Sequence, residues 1–202
     1  MQHLAISVSF GLVAIWCMHF VGNRAITMGG GELDIQLFYN PGFTALSVFL
    51  PIIFLFFGFT AVELRQPSQR FFWPSLVLAG MIAGLAITGM HYVGNFGISN
   101  YKLTNPAGYV VGSAAIACVA SITALSLFFY FKERWINSWI RRLACACLLA
   151  GAVSGMHWTA TSGTRYELSS RNGDHSAMSR NTNLIVAIVV VSLDESCRSG
   201  FR

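Results

Sequence analysis

Thr88-Gly89-Met90-His91-Tyr92-Val93-Gly94-Asn95 closes an apolar run that begins at Ser75 and holds no Asp, Glu, Lys or Arg. Such a run is long enough, as a helix rising 1.5 Å per residue, to cross a hydrocarbon core about 30 Å thick. The same pattern, a Met-His pair followed by an aromatic at the downstream end of an apolar run, occurs twice more. It reads Trp16-Cys17-Met18-His19-Phe20-Val21-Gly22-Asn23 at one end of the chain and Ser154-Gly155-Met156-His157-Trp158-Thr159-Ala160-Thr161 towards the other. The three histidines recur at intervals of roughly 70 residues, too long for a solenoid repeat and matched to a repeated pair of membrane helices with loops. The fold class that follows is all-α: a polytopic transmembrane helical bundle with internal two-helix repeats.

Composition agrees with this reading. Of 202 residues, 54% are hydrophobic and 10% charged, against about 25% charged in an ordinary soluble domain. The bilayer is therefore the chain's first partner. Cys17, Cys118, Cys145, Cys147 and Cys197 lie mostly in apolar runs and form no CxxC pair, which excludes a disulfide scaffold and a thiolate zinc site. The net charge of +5 comes from basic residues in short loops between apolar runs, where they set topology. Nucleic-acid binding is excluded on the same ground.

The first run, Leu4 to Val21, lacks the basic leader and cleavage site of a secretory signal and is read as a retained helix over 4–22. The loop from Asn23 to Gly42 carries Gly29-Gly30-Gly31, Glu32 and Asp34, and reads as a flexible aqueous segment without the GxxxxGK[ST] pattern of a phosphate loop. Asn40-Pro41-Gly42 then opens a second helix over 43–63, with Asn as cap and Pro51 as an expected kink. Phe71, Phe72 and Trp73 read as interfacial aromatics ahead of the third helix, 75–94, where Gly80, Gly84 and Thr88 form a stripe for close helix approach. Asn105-Pro106-Ala107-Gly108 opens the fourth, 109–131, as Asn40-Pro41-Gly42 opens the second. The fifth, 143–162, carries Gly151 and Gly155 at the same four-residue spacing. Ser162 to Asn183 is polar and expected to be mobile. Leu184 to Leu193 is a partial sixth helix, about half the ~20 residues that spanning requires, and 194–202 is a short tail.

Cations are denser in the turns opposite the motifs (Arg65, Arg70, Lys132, Arg134, Arg141, Arg142) than in the longer motif-side loops (Arg24, Lys102, Arg165, Arg171, Arg180). The denser side is assigned to the cytosol, which places all three Met-His pairs on the outer or lumenal side of a plasma membrane or endomembrane.

A histidine within a membrane segment is costly unless paired, hydrated or bound, so three at one depth mark function. Imidazole with thioether is a mixed borderline and soft donor set, favouring copper, Cu(I) above all, over magnesium or calcium. Adjacent helical residues point about 100° apart, so one Met and its neighbouring His need not reach the same ion, and a site assembled from several helices is expected. Two alternatives stay open: methionines that pack a glycine-rich bundle, and histidines that form a hydrogen-bonded interhelical network. Phe20, Tyr92 and Trp158 read as interfacial anchors, Gly22 and Gly94 as close-packing or helix-end residues, and His3 and His175 as solvated.

These motifs resemble those of the MHYT family, integral-membrane sensor domains named for a Met-His-Tyr-Thr signature on alternate helices. Met90-His91-Tyr92-Val93 is the nearest copy, and Met and His are the motif residues present in all three. The basic turns and variant motifs look like the fungal type. The resemblance implies a non-enzymatic sensor of a diatomic gas (oxygen, CO or NO) or of redox state, through copper held by Met18, His19, Met90, His91, Met156 and His157. Bacterial relatives often continue into cyclic-dinucleotide signalling domains, for which these 202 residues leave no room, so output is expected through an unknown downstream signalling partner, the bundle itself or sequence beyond these residues. Outside the resemblance, a small metal or proton transporter or channel, and a haem-binding redox protein with axial histidines, are the other readings.

Overall fold

The computed structural model describes residues 2–32, 35–63, 72–130 and 139–169. Within them the chain forms five long helices. The first, α1, is continuous through an α-helical Gln2–Ser9, a π-helical Phe10–Cys17 and an α-helical Met18–Arg24. The others are α2 (Pro41–Glu63), α3 (Phe72–Phe96), α4 (Ala107–Tyr130) and α5 (Trp139–Gly163). Each contains a segment long and apolar enough to cross a membrane. The helices start two to four residues ahead of the apolar runs.

Helices consecutive in sequence pack side by side, and the three motif helices, α1, α3 and α5, also touch one another. The return helices α2 and α4 lie outside, with Leu46, Phe49, Phe57, Val111 and Val119 exposed as lipid-facing residues. Glycine sets the closest approach. A Cβ on Gly80 would lie 2.7 Å from the Ile122 Cα, and one on Gly84 would lie 2.5 Å from the Cys118 Cα, so the stripe on α3 lets the α4 backbone come into contact. Gly151 and Gly155 on α5 have no such neighbour, and the same spacing there serves no helix contact among the described residues.

The π-helical turns of α1 carry extra residues per turn, and three consecutive side chains, Ile15, Trp16 and Cys17, are buried. The Trp16 indole donates to Ser47 Oγ at 3.0 Å and to the Thr44 carbonyl at 3.4 Å, tying α1 to the first turns of α2. Asn40 caps α2 as expected, its Oδ1 accepting from the Gly42 N–H at 2.8 Å, and Pro51 lies inside an uninterrupted helix. Asn105 differs from its expected role: its side-chain oxygen accepts from Thr164 Oγ1 at 2.9 Å, joining the entry of α4 to the end of α5.

The motif-side loops fold into a cap. Residues Tyr101–Thr104 (β1) and Arg165–Leu168 (β2) pair antiparallel, with Tyr101 opposite Leu168, and Tyr39 bridges Ile98. The expectation of a flexible aqueous loop over 23–42 is therefore corrected. Leu37, Phe38 and Tyr39 are apolar enough to be driven inward and are only 5–6% exposed. Asn100 holds them, its Oδ1 accepting from the Phe38 N–H at 3.1 Å and its Nδ2 donating to the Gln36 carbonyl at 2.6 Å. Gln36 in turn donates to the carbonyls of Met28 and Glu32. Gly29, Gly30 and Gly31, whose run made the loop read as irregular, all have positive φ. The start of the polar 162–183 segment is likewise ordered, as β2. Phe72 is buried in a small cluster with Val62, Leu76 and Leu125, not interfacial, whereas Trp73 is exposed. The partial sixth helix over 184–193, the tail 194–202, Phe71, His175 and most of both basic turns lie outside the described residues.

Candidate functional site

His19, His91 and His157 stand at the same height on α1, α3 and α5, and all three are 0% exposed. Their rings meet edge to face, with centroids 4.8 Å apart for His19 and His91, 5.1 Å for His91 and His157, and 5.3 Å for His19 and His157. One candidate ligand nitrogen from each lies within 4.8 Å of the other two, and His19 Nδ1 and His157 Nδ1 are 3.4 Å apart. The bundle thus gathers three imidazoles separated by most of the chain into one buried cluster.

Glycine makes that possible. A Cβ on Gly22 would lie 2.7 Å from His157 Nε2, and one on Gly94 would lie 2.6 Å from His19 Nε2. His157 and His19 therefore seat on the backbone of α1 and α3, three residues after that helix's own histidine. Of the two roles open to Gly22 and Gly94, close packing and helix ends, the ring contacts show close packing, and what they admit is the cluster itself.

A second polar tier lies one helical turn further on, where residue i+4 stands over residue i. Asn23 Nδ2 is 3.4 Å from His19 Nε2, and Asn95 Nδ2 is 3.1 Å from His91 Nε2. The two amides meet, Asn23 Nδ2 donating to Asn95 Oδ1 at 3.0 Å, and Asn23 Nδ2 also reaches the Tyr39 hydroxyl at 2.9 Å. In the third motif the equivalent residue is Thr161, whose buried hydroxyl makes no hydrogen bond. Sequence reading had not singled out Asn23, Asn95 or Tyr39. The spacing His-x-x-x-Asn in two of the three motifs was the available signal, since i and i+4 share a helix face.

The methionines are core residues. Met90 and Met156 are 0% exposed within the main apolar cluster, and Met18 is partly buried against it. The motif aromatics divide. Phe20 is buried, edge-on to His19 and to Tyr39; Tyr92 pairs its hydroxyl with Ser113 Oγ at 3.3 Å; Trp158 is 46% exposed. Only the last retains the exposure of an interfacial anchor. Cys118, Cys145 and Cys147 are free thiols.

The donor set can be tested against a metal. Bonds of about 2.0–2.1 Å at trigonal or tetrahedral angles put ligand nitrogens about 3.3–3.6 Å apart. The His19–His157 pair at 3.4 Å meets that limit already, and the longest edge would close by about 1 Å to meet it. Two buried ring nitrogens, His91 Nδ1 and His157 Nε2, have no hydrogen-bond partner, a desolvation cost of about 1–3 kcal/mol each that a cation would relieve at a nitrogen facing it. The residues present fit a three-coordinate imidazole site.

The chain is 29% identical over 191 residues to the bifunctional diguanylate cyclase/cyclic di-GMP phosphodiesterase MucR of Pseudomonas aeruginosa, covering 94% of this chain and 26% of that protein. It is 30% identical over 148 residues to the cyclic di-GMP phosphodiesterase NbdA of the same organism, and 25% identical over 147 residues to the signaling protein YkoW of Bacillus subtilis. Each of those alignments covers 72% of this chain, and 18% and 17% of the relative. The chain therefore spans about a quarter or less of the length of these curated relatives. No solved structure matches it. These relatives are bacterial, and the expected fungal type finds no support. The MHYT family model, described as the bacterial signalling protein N terminal repeat, matches residues 13–73 and 84–139, stretches that contain the first and second motifs. With its Met-His pairs on three alternate helices brought to a single depth, the chain belongs to the MHYT family of membrane signalling proteins.

Proposed function

We propose that this bundle is the non-enzymatic sensing part of a signalling protein, and that its sensing element is copper held by His19, His91 and His157 near the outer face of the membrane. The observation that carries the reading is the buried three-imidazole cluster with a 3.4 Å nitrogen separation and an unpartnered His91 Nδ1. Three neutral imidazoles leave a coordination position open. A bound copper ion would supply affinity there for oxygen, CO or NO, or a change of oxidation state. The fully buried Met90 and Met156, adjacent in sequence to two of the ligands, give the surroundings an apolar, polarizable character that favours Cu(I).

Two of the named relatives, MucR and NbdA, make or degrade cyclic di-GMP by name, so the proposed output is control of cyclic-dinucleotide turnover by a module or partner joined to the bundle. A haem reading is weakened by ring centroids of 4.8–5.3 Å, which leave no slot for a macrocycle between the imidazoles. A transport reading is weakened by the buried Leu37, Phe38 and Tyr39 of the cap at the motif end.

The test is the metal content and absorption spectrum of detergent-purified protein, wild type and variants. One copper per chain is expected in the wild type. His19→Ala, His91→Ala and His157→Ala should each lower affinity at least tenfold without loss of membrane insertion. Wild-type stoichiometry and affinity in all three variants would refute the site. A Soret band would replace it with haem.

A further inference from the structure

We infer that the π-helical stretch of α1 is a one-residue insertion that positions His19: it lets Gly11 keep its seat against α2 while the ring eight residues later still enters the triad. Only the packing of the ring cluster is involved, with or without a cation in it.

The first two helix pairs, α1 with α2 and α3 with α4, supply the frame. The return helices share one register. Ser47 and Ser113, each the seventh residue of its helix, both donate to the carbonyl three residues back, at 2.7 Å on Thr44 and 3.0 Å on Val110. Ile52 and Cys118, each the twelfth residue, both lie against a glycine of the preceding motif helix. A Cβ on Gly11 would lie 3.2 Å from the Ile52 backbone N and 3.4 Å from its Cα, and one on Gly84 would lie 2.5 Å from the N and Cα of Cys118. Gly11 and Gly84 are therefore equivalent seats. Four residues before them stand Ser7, which is 0% exposed, and Gly80, which takes the α4 backbone at Ile122.

Past these glycines the spacing changes. Gly84 precedes His91 by seven residues, and Gly11 precedes His19 by eight. From the histidines onward the two helices are again in step: Gly22 and Gly94 seat rings three residues on, and Asn23 and Asn95 meet four residues on. One surplus residue thus lies between Gly11 and His19. In an α-helix of 3.6 residues per turn it would swing everything downstream by about 100°. α3 is α-helical throughout, whereas α1 is π-helical over Phe10–Cys17, the interval that holds the surplus. Hydrogen bonds closed at i→i+5 take an additional residue into the turn, and the phase of His19 is restored.

The downstream glycine closes the α-helical alternative. With Gly11 seated and α1 regular, Met18 would stand at the height of His91, and Val21 would stand where Gly22 now does. A Cβ at that place lies 2.7 Å from His157 Nε2, so the valine would strike the ring. In the π register Val21 is instead 48% exposed. π turns are rare and concentrate at functional sites. This one is fixed at both ends, by Gly11 on Ile52 and by Gly22 under His157, with the Trp16 bond to Ser47 Oγ between them.

The experiment compares two one-residue deletions in the full chain, held in lipid nanodiscs. Deleting Val13, a half-buried residue of the π stretch, should turn α1 into a plain α-helix with the seven-residue spacing of α3. Deleting Leu85, which is 55% exposed, shortens the equivalent interval of α3, where no residue is surplus. The readout is ring-to-ring contact among 13C,15N-labelled histidines, by solid-state NMR of metal-free protein, with thermal unfolding recorded alongside. The Val13 deletion should keep the contacts among His19, His91 and His157 and unfold close to the wild type. The Leu85 deletion should lose the contacts of His91, whose ring turns about 100° off the cluster. Lost His19 contacts or lost folding on deleting Val13, or intact His91 contacts on deleting Leu85, would overturn the insertion. Because the readout is taken without metal, a wild type that binds no copper would refute the proposed role of the site and leave this test unaffected.

Discussion

Gly94→Ala isolates the seating of one ring from every donor atom of the cluster. The added methyl would lie 2.6 Å from His19 Nε2, 3.0 Å from its Cδ2 and 3.5 Å from Phe20 Cζ. Ordinary carbon contacts begin near 3.5 Å, so ring or helix must give way by about 0.5–1 Å. The ring is restrained on the remaining sides, by Asn23 at 3.4 Å, by His157 at 3.4 Å and by the edge of Phe20. Overpacking of this kind costs about 1–3 kcal/mol. Because a shift of that size moves His19 Nδ1 away from a 3.4 Å separation that copper bonds require, most of the cost should fall on the loaded state. The expected loss of Cu(I) affinity is about 5- to 150-fold, as those energies convert. The assay is chelator competition in detergent, with thermal unfolding recorded alongside. Gly80→Ala is the control: its methyl meets the α4 backbone at Ile122, remote from the rings, and should lower unfolding temperature with no change in Cu(I) affinity. A Gly94→Ala protein that binds Cu(I) like the wild type while Gly80→Ala behaves as stated would show that the ring seat does not govern the site.

Asn100→Ala should loosen the cap, since it removes the hydrogen bonds that Asn100 makes to the Phe38 N–H and the Gln36 carbonyl, each worth about 0.5–1.5 kcal/mol. Faster hydrogen exchange confined to residues 25–40 and 97–104 is the expected readout, and unchanged exchange there would refute the anchor. The cap should also open in alkali. Burial pushes the Tyr166 hydroxyl up to about 12 and raises Tyr39 as well, from the ordinary value of 10.0. Above pH 10 the open cap would lose those protons while the closed cap keeps them, so closure is at full strength below pH 10 and falls as pH rises towards 12. Tyrosinate absorbance should rise late and steeply; two tyrosines titrating near pH 10 in folded protein would contradict this.

The helices were legible because a bilayer leaves the sequence little freedom: about 20 apolar residues with few charges are required, and each of the five runs has them. The depth of the cluster was legible for the same reason, since three Met-His pairs at matched helix ends imply matched heights. The cap was not. Its stability comes from single long-range bonds, such as Asn100 to Phe38 and Tyr101 Oη to the Ile35 carbonyl at 2.6 Å, and no local spacing encodes a partner more than sixty residues away. The glycines of 29–31 dominated the reading of that loop, and the burial of Leu37 to Tyr39 was hidden behind them. Gly151 and Gly155 failed in the opposite sense, with the right spacing and no helix against it among the described residues. A small-residue stripe states that close approach is permitted. It does not state that a neighbour is present.

The three repeats differ where equivalence would be counterproductive. The first two read His-x-x-Gly-Asn and the third His-x-x-Ala-Thr. In the first two, glycine admits a neighbouring ring and asparagine holds the helix's own ring; in the third, Ala160 is 1% exposed and Thr161 holds nothing. Three asparagines around the axis would have to satisfy a closed ring of amide contacts and would fix all three imidazoles. With two, the amide chain has two ends: one at the His91 ring, the other at Tyr39, beyond the helices in the cap. The departure from the repeat at Thr161 leaves His157 without an amide at i+4, and its Nδ1 faces His19 Nδ1 at 3.4 Å. The third ring is therefore the one that can turn towards an ion without breaking a contact to an amide of its own helix.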